Sequence, residues 1–282
     1  ASKALCFKKI YTIAAEEHMG VDVVSPGELY TALQAGFPME KVFFHGNNKT
    51  DADIEFAIEN HIGYFVCDNL DELDAIDETA ERHGIVQKIL LRLTPGIDPH
   101  THVKISTGKV DSKFGIAIET GQADEAIKAA LDKKNVKLCG YHCHIGSQTF
   151  DIKPFVDGAE IMLKYIAHIK EVFGYEAEIL NLGGGMGVKY IESDPEIDYA
   201  VNIKGIADMM KDKCKELGIN LPVVLMEPGR SIVADAGMTL YTVGGTKEIP
   251  GYKNYVSVDG GMTDNPRYTL YESPYTIAIA NK

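Results

Sequence analysis

Lys3 opens the chain beside Ala1, Ala4 and Leu5. An amine among small and apolar neighbours can be desolvated. Its pKa then falls, and the free amine can attack a carbonyl to form a Schiff base. The plain alternative is an exposed lysine. Near the other end, Glu227 follows the apolar run 223–226 and precedes Pro228-Gly229. A carboxylate so placed needs a cationic or protonated partner. Arg230, three residues on, offers a planar fork suited to an anion. His142 and His144 stand at i and i+2 and share one face of an extended segment. Three readings stay open for them: a zinc pair, a platform under a flat ring, or two buried, hydrogen-bonded imidazoles. Residues 183–187 read Gly-Gly-Gly-Met-Gly. Their N–H groups could cradle a phosphate, or they could form a tight turn. The spacing does not match the dinucleotide fingerprint G-x-G-x-x-G.

These residues need elements that bring them together. Short apolar runs at 2–6, 21–24, 41–44, 64–67, 88–93, 137–142, 178–182 and 222–226 read as strands. Amphipathic stretches at 8–18, 27–35, 51–59, 71–83, 124–133, 152–172 and 203–217 read as helices. Asp51 and Asp71 suit helix starts. Gly20, Gly36, Gly84 and Gly218 suit helix ends, where a left-handed residue stops the turn cheaply. Strand-helix alternation implies parallel pairing. Eight such units over about 235 residues predict an α/β fold of the (β/α)8 TIM-barrel class, with an open doubly wound sheet as the alternative. In a barrel, Asp22, His45, Arg92, His142, His144, the glycine run and Glu227 all end strands at one mouth, where such folds place their sites. Residues 94–115, with Pro95, Gly96, Pro99 and Gly108, read as a long loop of functional length.

After Ala236 the pattern changes. Residues 238–243 and 252–259 alternate and are rich in Thr, Tyr and Val, with Gly244-Gly245 and Pro250-Gly251 between them. The expected division is therefore a barrel over 1–236 and the start of a mostly antiparallel β domain over 237–282. Both ends read as lying inside structure, so the expectation is a piece of a longer polypeptide.

Composition narrows the classes. The 282 residues carry 28 Lys+Arg against 41 Asp+Glu, a formal charge of −13. That balance argues against a nucleic-acid or anionic-membrane surface but leaves room for a local cationic pocket. No apolar run approaches the roughly 20 residues of a membrane helix. Five cysteines without paired spacing read as free thiols in a reducing compartment, so a cytoplasmic location is expected.

Eight stretches, in order along almost the whole chain, resemble a known family. They are Ala1-Ser2-Lys3-Ala4, residues 20–29 (GVDVVSPGEL), 45–49 (HGNNK), 112–116 (SKFGI), 142–148 (HCHIGSQ), 181–185 (NLGGG), 227–233 (EPGRSIV) and 258–271 (VDGGMTDNPRYTLY). The family is that of the alanine-racemase-like barrel enzymes that use pyridoxal 5'-phosphate (PLP), in its decarboxylase branch. The resemblance implies Lys3 as the residue that holds PLP. It implies His144 stacked on the ring, and Ser147, Gly183, Gly184, Gly185, Pro228, Gly229 and Arg230 around the phosphate. Glu227 would pair with the pyridine nitrogen. Asp22, Glu28 and Arg92 would surround lysine and ring, and Arg230, Arg267 and Tyr271 would hold the far end of the substrate. The implied reaction is decarboxylation of meso-2,6-diaminopimelate to L-lysine and CO2, without a metal, in a homodimer with shared sites. Decarboxylation of another basic amino acid, of ornithine or arginine type, is the alternative within the family. A PLP-binding barrel without turnover and a zinc hydrolase on His142 and His144 are the alternatives outside it. The family's catalytic cysteine is expected in a later segment, since none of the five cysteines here matches its motif.

Overall fold

Short β-branched and aromatic runs alternate with amphipathic ones, and the backbone follows that alternation. The computed structural model describes residues 1–97 and 110–281. In chain order come α1 (Lys8–Glu16), β1 (Val21–Val23), α2 (Pro26–Gln34), β2 (Val42–Phe44), α3 (Asp51–Glu59), β3 (Tyr64–Cys67), α4 (Leu70–His83) and β4 (Gln87–Thr94). They are followed by β5 (Ile116–Ala117), α5 (Gln122–Asp132), β6 (Val136–His142), α6 (Lys153–Phe173), β7 (Ile179–Asn181), α7 (Tyr199–Leu217) and β8 (Val223–Leu225). Of the expected loop at 94–115, Pro99 and Gly108 lie outside the described residues.

The helix ends follow from satisfied backbone groups. Thr50 Oγ1 accepts from the Asp53 N–H, and Asp53 Oδ2 accepts from the Thr50 N–H, which starts α3 with a reciprocal cap. Asn69 caps α4 in the simpler way, through the Glu72 N–H. The caps are thus one and two residues before the expected Asp51 and Asp71, which instead occupy the first turn, where negative charge meets the helix dipole. Gly84 and Gly218 close α4 and α7 in the left-handed conformation, at φ 65° and 66°. Gly20 has a different use. His18 makes the left-handed turn, and a Cβ on Gly20 would stand 3.0 Å from the Lys41 carbonyl oxygen.

The strands form one parallel sheet in the order β1-β2-β3-β4-β6-β7-β8, with the two-residue β5 added to β4. This is a barrel wall of the (β/α)8 class built from seven paired strands. Among the described residues β1 and β8 do not pair with each other. The expected first strand at 2–6 is instead a 3-10 turn, Ser2–Ala4. Small residues there have little extended preference, and the turn is held at its start: the Ala1 nitrogen donates to the Pro228 carbonyl at 3.1 Å and lies 3.8 Å from Asp22 Oδ2. The turn so reaches from the end of β8 to β1.

Side chains alternate across the wall. Val66, Leu90 and Cys139, with Phe43, Tyr64 and Ile179 against them, pack on one face. Phe65, Cys67, Ile89, Leu91 and Leu138 point the other way into the larger core under the helices. Leu91 is fully buried, which stabilises the fold by about 1.5–3 kcal/mol. Cys67, Cys139, Cys143 and Cys214 are buried free thiols, and Cys6 is exposed.

After β8 come a short α8 (Arg230–Val233), an antiparallel pair of β9 (Val243–Ile249) and β10 (Lys253–Val258), and α9 (Arg267–Tyr271). The expected strand at 238–243 is displaced. Gly244-Gly245 does not interrupt a strand but lies inside β9, and a register shift between Val256 and Val258 absorbs the irregularity on β10. The turn at Pro250-Gly251 is as expected, with Gly251 at φ 78°. No helix among the described residues is long and apolar enough to cross a membrane.

Candidate active site

Register decides which side chains meet. Arg92 lies opposite His142, His142 opposite Asn181, and Asn181 opposite Leu225. Side chains in one such row share a face of the wall. The chain then continues two residues past Leu225 to Glu227, whose N–H donates to the Gly183 carbonyl at 2.9 Å. Strand pairing thereby continues into the mouth and sets the Glu227 side chain beside the row.

Three contacts converge on Glu227 Oε1. Asn181 Nδ2 donates at 2.8 Å, His142 Nε2 lies at 2.9 Å and His45 Nε2 at 3.3 Å. Burial alone would raise this carboxyl. The imidazoles of His45 and His142 outweigh it and hold Glu227 well below the ordinary carboxylate range. His142 itself is pushed down to about 4, because burial exceeds the pull of Glu227. His45 also lies 3.6 Å from Asp22 Oδ1 and meets the His142 ring edge-on at 5.0 Å.

His144 sits one turn of chain further, against the glycine run. A Cβ on Gly183 would stand 2.7 Å from His144 Nδ1. Burial first, then the charges of Arg92 and Lys3, push His144 down to about 3. The ring is neutral and flat. Lys3 is exposed rather than desolvated, since its turn lies at the rim and not within a strand. Its charge nonetheless reaches both His144 and Glu28. Glu28 is raised by its own burial and accepts the Val24 N–H at 2.7 Å. Arg92 Nε faces Asp68 Oδ1 at 3.8 Å, with its guanidinium 4.5 Å above the Phe114 ring.

A second group extends away from Glu227. Arg230 donates to Ser147 Oγ at 3.1 Å and to Tyr190 Oη at 2.8 Å. Arg267 lies 5.8 Å over the Tyr190 ring and 5.6 Å over that of Tyr271. Two guanidinium groups thus flank one phenol. Pro228 and Gly229 hold the turn at residues 2–4: the Pro228 carbonyl accepts from the Ala1 nitrogen, and Gly229 packs against Ala1 and Ala4.

The structure therefore brings Asp22, Glu227, His144, the glycines and Lys3 to one mouth, and Arg230, Arg267 and Tyr271 to one cluster. It does not pair His142 with His144 for a metal. Among the described residues, the group with ligand atoms in metal-like proximity is His45, His142 and Glu227. Asn181, Asp68 and Tyr190 have no role in the sequence analysis. Asn181 could have been suspected from its position just before the glycines; nothing local distinguishes Tyr190.

A flat phosphate-bearing pyridine fits these residues. Gly183 and Gly185 have φ of 70° and 112°, open to glycine at little cost. A Cβ on Gly184 would overlap the Glu227 carbonyl, and one on Gly185 the Gly146 carbonyl. The loop is a backbone cradle with no room for side chains. Buried Arg230 Nε has no hydrogen-bond partner, a donor left for an anion.

Comparison with known proteins agrees. The family described as "Pyridoxal-dependent decarboxylase, pyridoxal binding domain" matches residues 1–234. The diaminopimelate decarboxylase of Staphylococcus aureus is 48% identical over 282 residues, all of this chain and 65% of that protein. That of Bacillus methanolicus is 46% identical with the same coverage. The chain thus spans 65% of the length of these curated relatives. Among solved structures, diaminopimelate decarboxylase from M. jannaschii superposes with a TM-score of 0.87 at 39% identity, over 96% of this chain and 62% of that one. The same enzyme solved with L-lysine gives 0.86 at 39% identity, over 98% and 62%.

Proposed function

Because the chain belongs to the pyridoxal-dependent decarboxylase family, we propose that it is the PLP-binding part of an enzyme converting meso-2,6-diaminopimelate to L-lysine and CO2. The observation that carries this is Glu227, held ionised among His45, His142 and Asn181 at the mouth that also presents the glycine cradle. When bound, PLP supplies the electron sink that makes loss of carbon dioxide possible. Lys3 supplies the amine that anchors the cofactor, at a rim where solvent and substrate can reach it. Glu227 would hold a proton on the pyridine nitrogen, its own ionised form favoured by the groups that converge on Oε1. His144 would present its neutral ring to the cofactor. Residues 183–185 and Arg230 bind the phosphate, with Ser147 orienting the Arg230 guanidinium. Asp22, Glu28 and Arg92 surround the amine with charge.

Arg230, Arg267 and Tyr271 recognise the distal end of the substrate. A guanidinium pairs bidentately with a carboxylate, and diaminopimelate has a second amino-acid head that ornithine and arginine lack. The similarity to diaminopimelate decarboxylases at 46% and 48% identity supports the same substrate. We assign residues 1–236 to the barrel and 237–282 to the β part that follows. The working unit is a homodimer with shared sites, in the cytoplasm.

The test is an assay of the full-length protein with PLP, following CO2 and lysine from meso-diaminopimelate beside ornithine and arginine. Selective turnover of diaminopimelate is expected. Arg267→Ala should raise its KM at least about tenfold, a loss of about 1.4 kcal/mol. Preference for ornithine or arginine would overturn the substrate assignment, and no CO2 from any of the three would overturn the decarboxylase.

A further inference from the structure

Lys49 and Glu72 form a buried ion pair that touches none of the cofactor- or substrate-binding side chains assigned above. Lys49 Nζ lies 2.6 Å from Glu72 Oε1, and the two side chains are 1% and 3% exposed. Lys49 uses its other donors on the Gly46 and Val66 carbonyls, both at 2.9 Å. Glu72 Oε2 accepts the N–H of Asp68 at 3.2 Å, while the Glu72 N–H is taken by the Asn69 cap. Every charge is thus satisfied, at full desolvation.

Such a pair is a poor source of stability. Taking both charges out of water costs as much as their attraction returns, and apolar residues of similar size commonly do as well or better. What this pair does have is reach. Gly46 directly follows His45, which touches Glu227. Val66 lies in β3, and Asp68, just past its end, faces Arg92. One lysine and one glutamate therefore connect the loops that carry two site residues from different strands.

We infer that the Lys49–Glu72 pair is a positioning strut: by tying the carboxyl ends of β2 and β3 together it sets His45 against Glu227 and Asp68 against Arg92. This rests on the PLP reading above. Neither residue touches cofactor or substrate; both act through His45 and Asp68. A hydrophobic pair of the same volume would fill the space but would leave the Gly46 and Val66 carbonyls and the Asp68 N–H without these partners.

The test separates positioning from folding. The double variant Lys49→Met/Glu72→Met is compared with the wild type in the full-length protein loaded with pyridoxal 5'-phosphate. Thermal melting, the visible circular dichroism of the bound cofactor, kcat and KM are measured. The double variant should still fold cooperatively, melting somewhat lower than the wild type because three buried backbone groups lose these partners. Its visible dichroic band, which depends on how the ring is held, should weaken or change sign. Its kcat should fall about ten- to a hundredfold, as for a small misplacement at a reacting centre, with KM within about twofold. Glu72→Asp, which keeps the charge but shortens the reach, should show the same dichroic change to a smaller degree. A double variant that folds with the wild-type band and kcat overturns the strut. So does one that cannot fold, since the pair would then be a structural element. A wild type that takes up no pyridoxal phosphate would instead refute the functional reading, and this inference with it.

Discussion

Glu227 is useful because its charge is not left to solvent. Three neighbours meet at Oε1, and they favour the ionised form more than burial disfavours it. A carboxylate fixed in this way can hold a proton on a basic ring nitrogen without taking it up itself. Glu227→Ala removes the anion and leaves His45 and His142 without their common acceptor. Turnover should fall by about 10²-fold or more, about 2.7 kcal/mol of transition-state stabilisation. Cofactor affinity, measured by equilibrium dialysis, should fall less, because the phosphate contacts remain. Turnover within about twofold of wild type would remove Glu227 from the mechanism. Glu227 could be singled out from the chain alone because its Pro-Gly neighbours and apolar run mark a strand end. Its partners could not all be read there. Asn181 joins through the register of β6, β7 and β8, and Tyr190 lies 40 residues from Arg230. Contacts of that kind follow from strand pairing, which a local pattern does not encode.

At the scale of elements, the wall and the glycine run make different demands. Gly84 and Gly184 illustrate the contrast. Gly84 ends α4 at the opposite end of the wall from the site, with no atom within 4 Å of a built Cβ. Gly84→Ala should cost about 1–2 kcal/mol through its left-handed backbone alone. That is readable as a lower melting temperature with unchanged cofactor affinity. At Gly184 a Cβ would overlap the Glu227 carbonyl, so Gly184→Ala must move β8 or the loop. It should weaken cofactor binding far more than it lowers melting, as a fluorescence titration with PLP would show. Equal effects of both variants on affinity would contradict the cradle. The strands at 64–67 and the helix at 51–59 were legible because their β-branched and amphipathic patterns are local. The segment at 2–6 was not: it is held as a turn by the Ala1 nitrogen donating to the Pro228 carbonyl, 227 residues away. The same long-range contact puts Lys3 on the rim, exposed, which is the plainer of the two readings its neighbours allow.

For the whole molecule, the buried imidazoles link stability to pH. His142 and His144 titrate near 6.5 in an unfolded chain but are pushed down to about 4 and about 3 in the folded one. As pH falls below 6.5, the unfolded state takes up these protons first. The stability they contribute is complete above 6.5 and is lost as pH falls through about 4 to about 3. Melting temperature should therefore fall steadily from pH 7 to 4, and His142→Asn should flatten that dependence. An unchanged slope in the variant would mean that His142 is not buried neutral. The net charge of −13 contrasts with Arg230 and Arg267, which both lie over the Tyr190 ring. Such a local pair of guanidinium groups suits an anionic ligand in an otherwise acidic molecule. Whether PLP is held by Lys3 is the central question, and one measurement answers it directly. The full-length protein is loaded with PLP, reduced with borohydride, digested and mapped by mass spectrometry. A phosphopyridoxyl group on Lys3 is expected. The same group on any other lysine, or on none, would contradict that assignment.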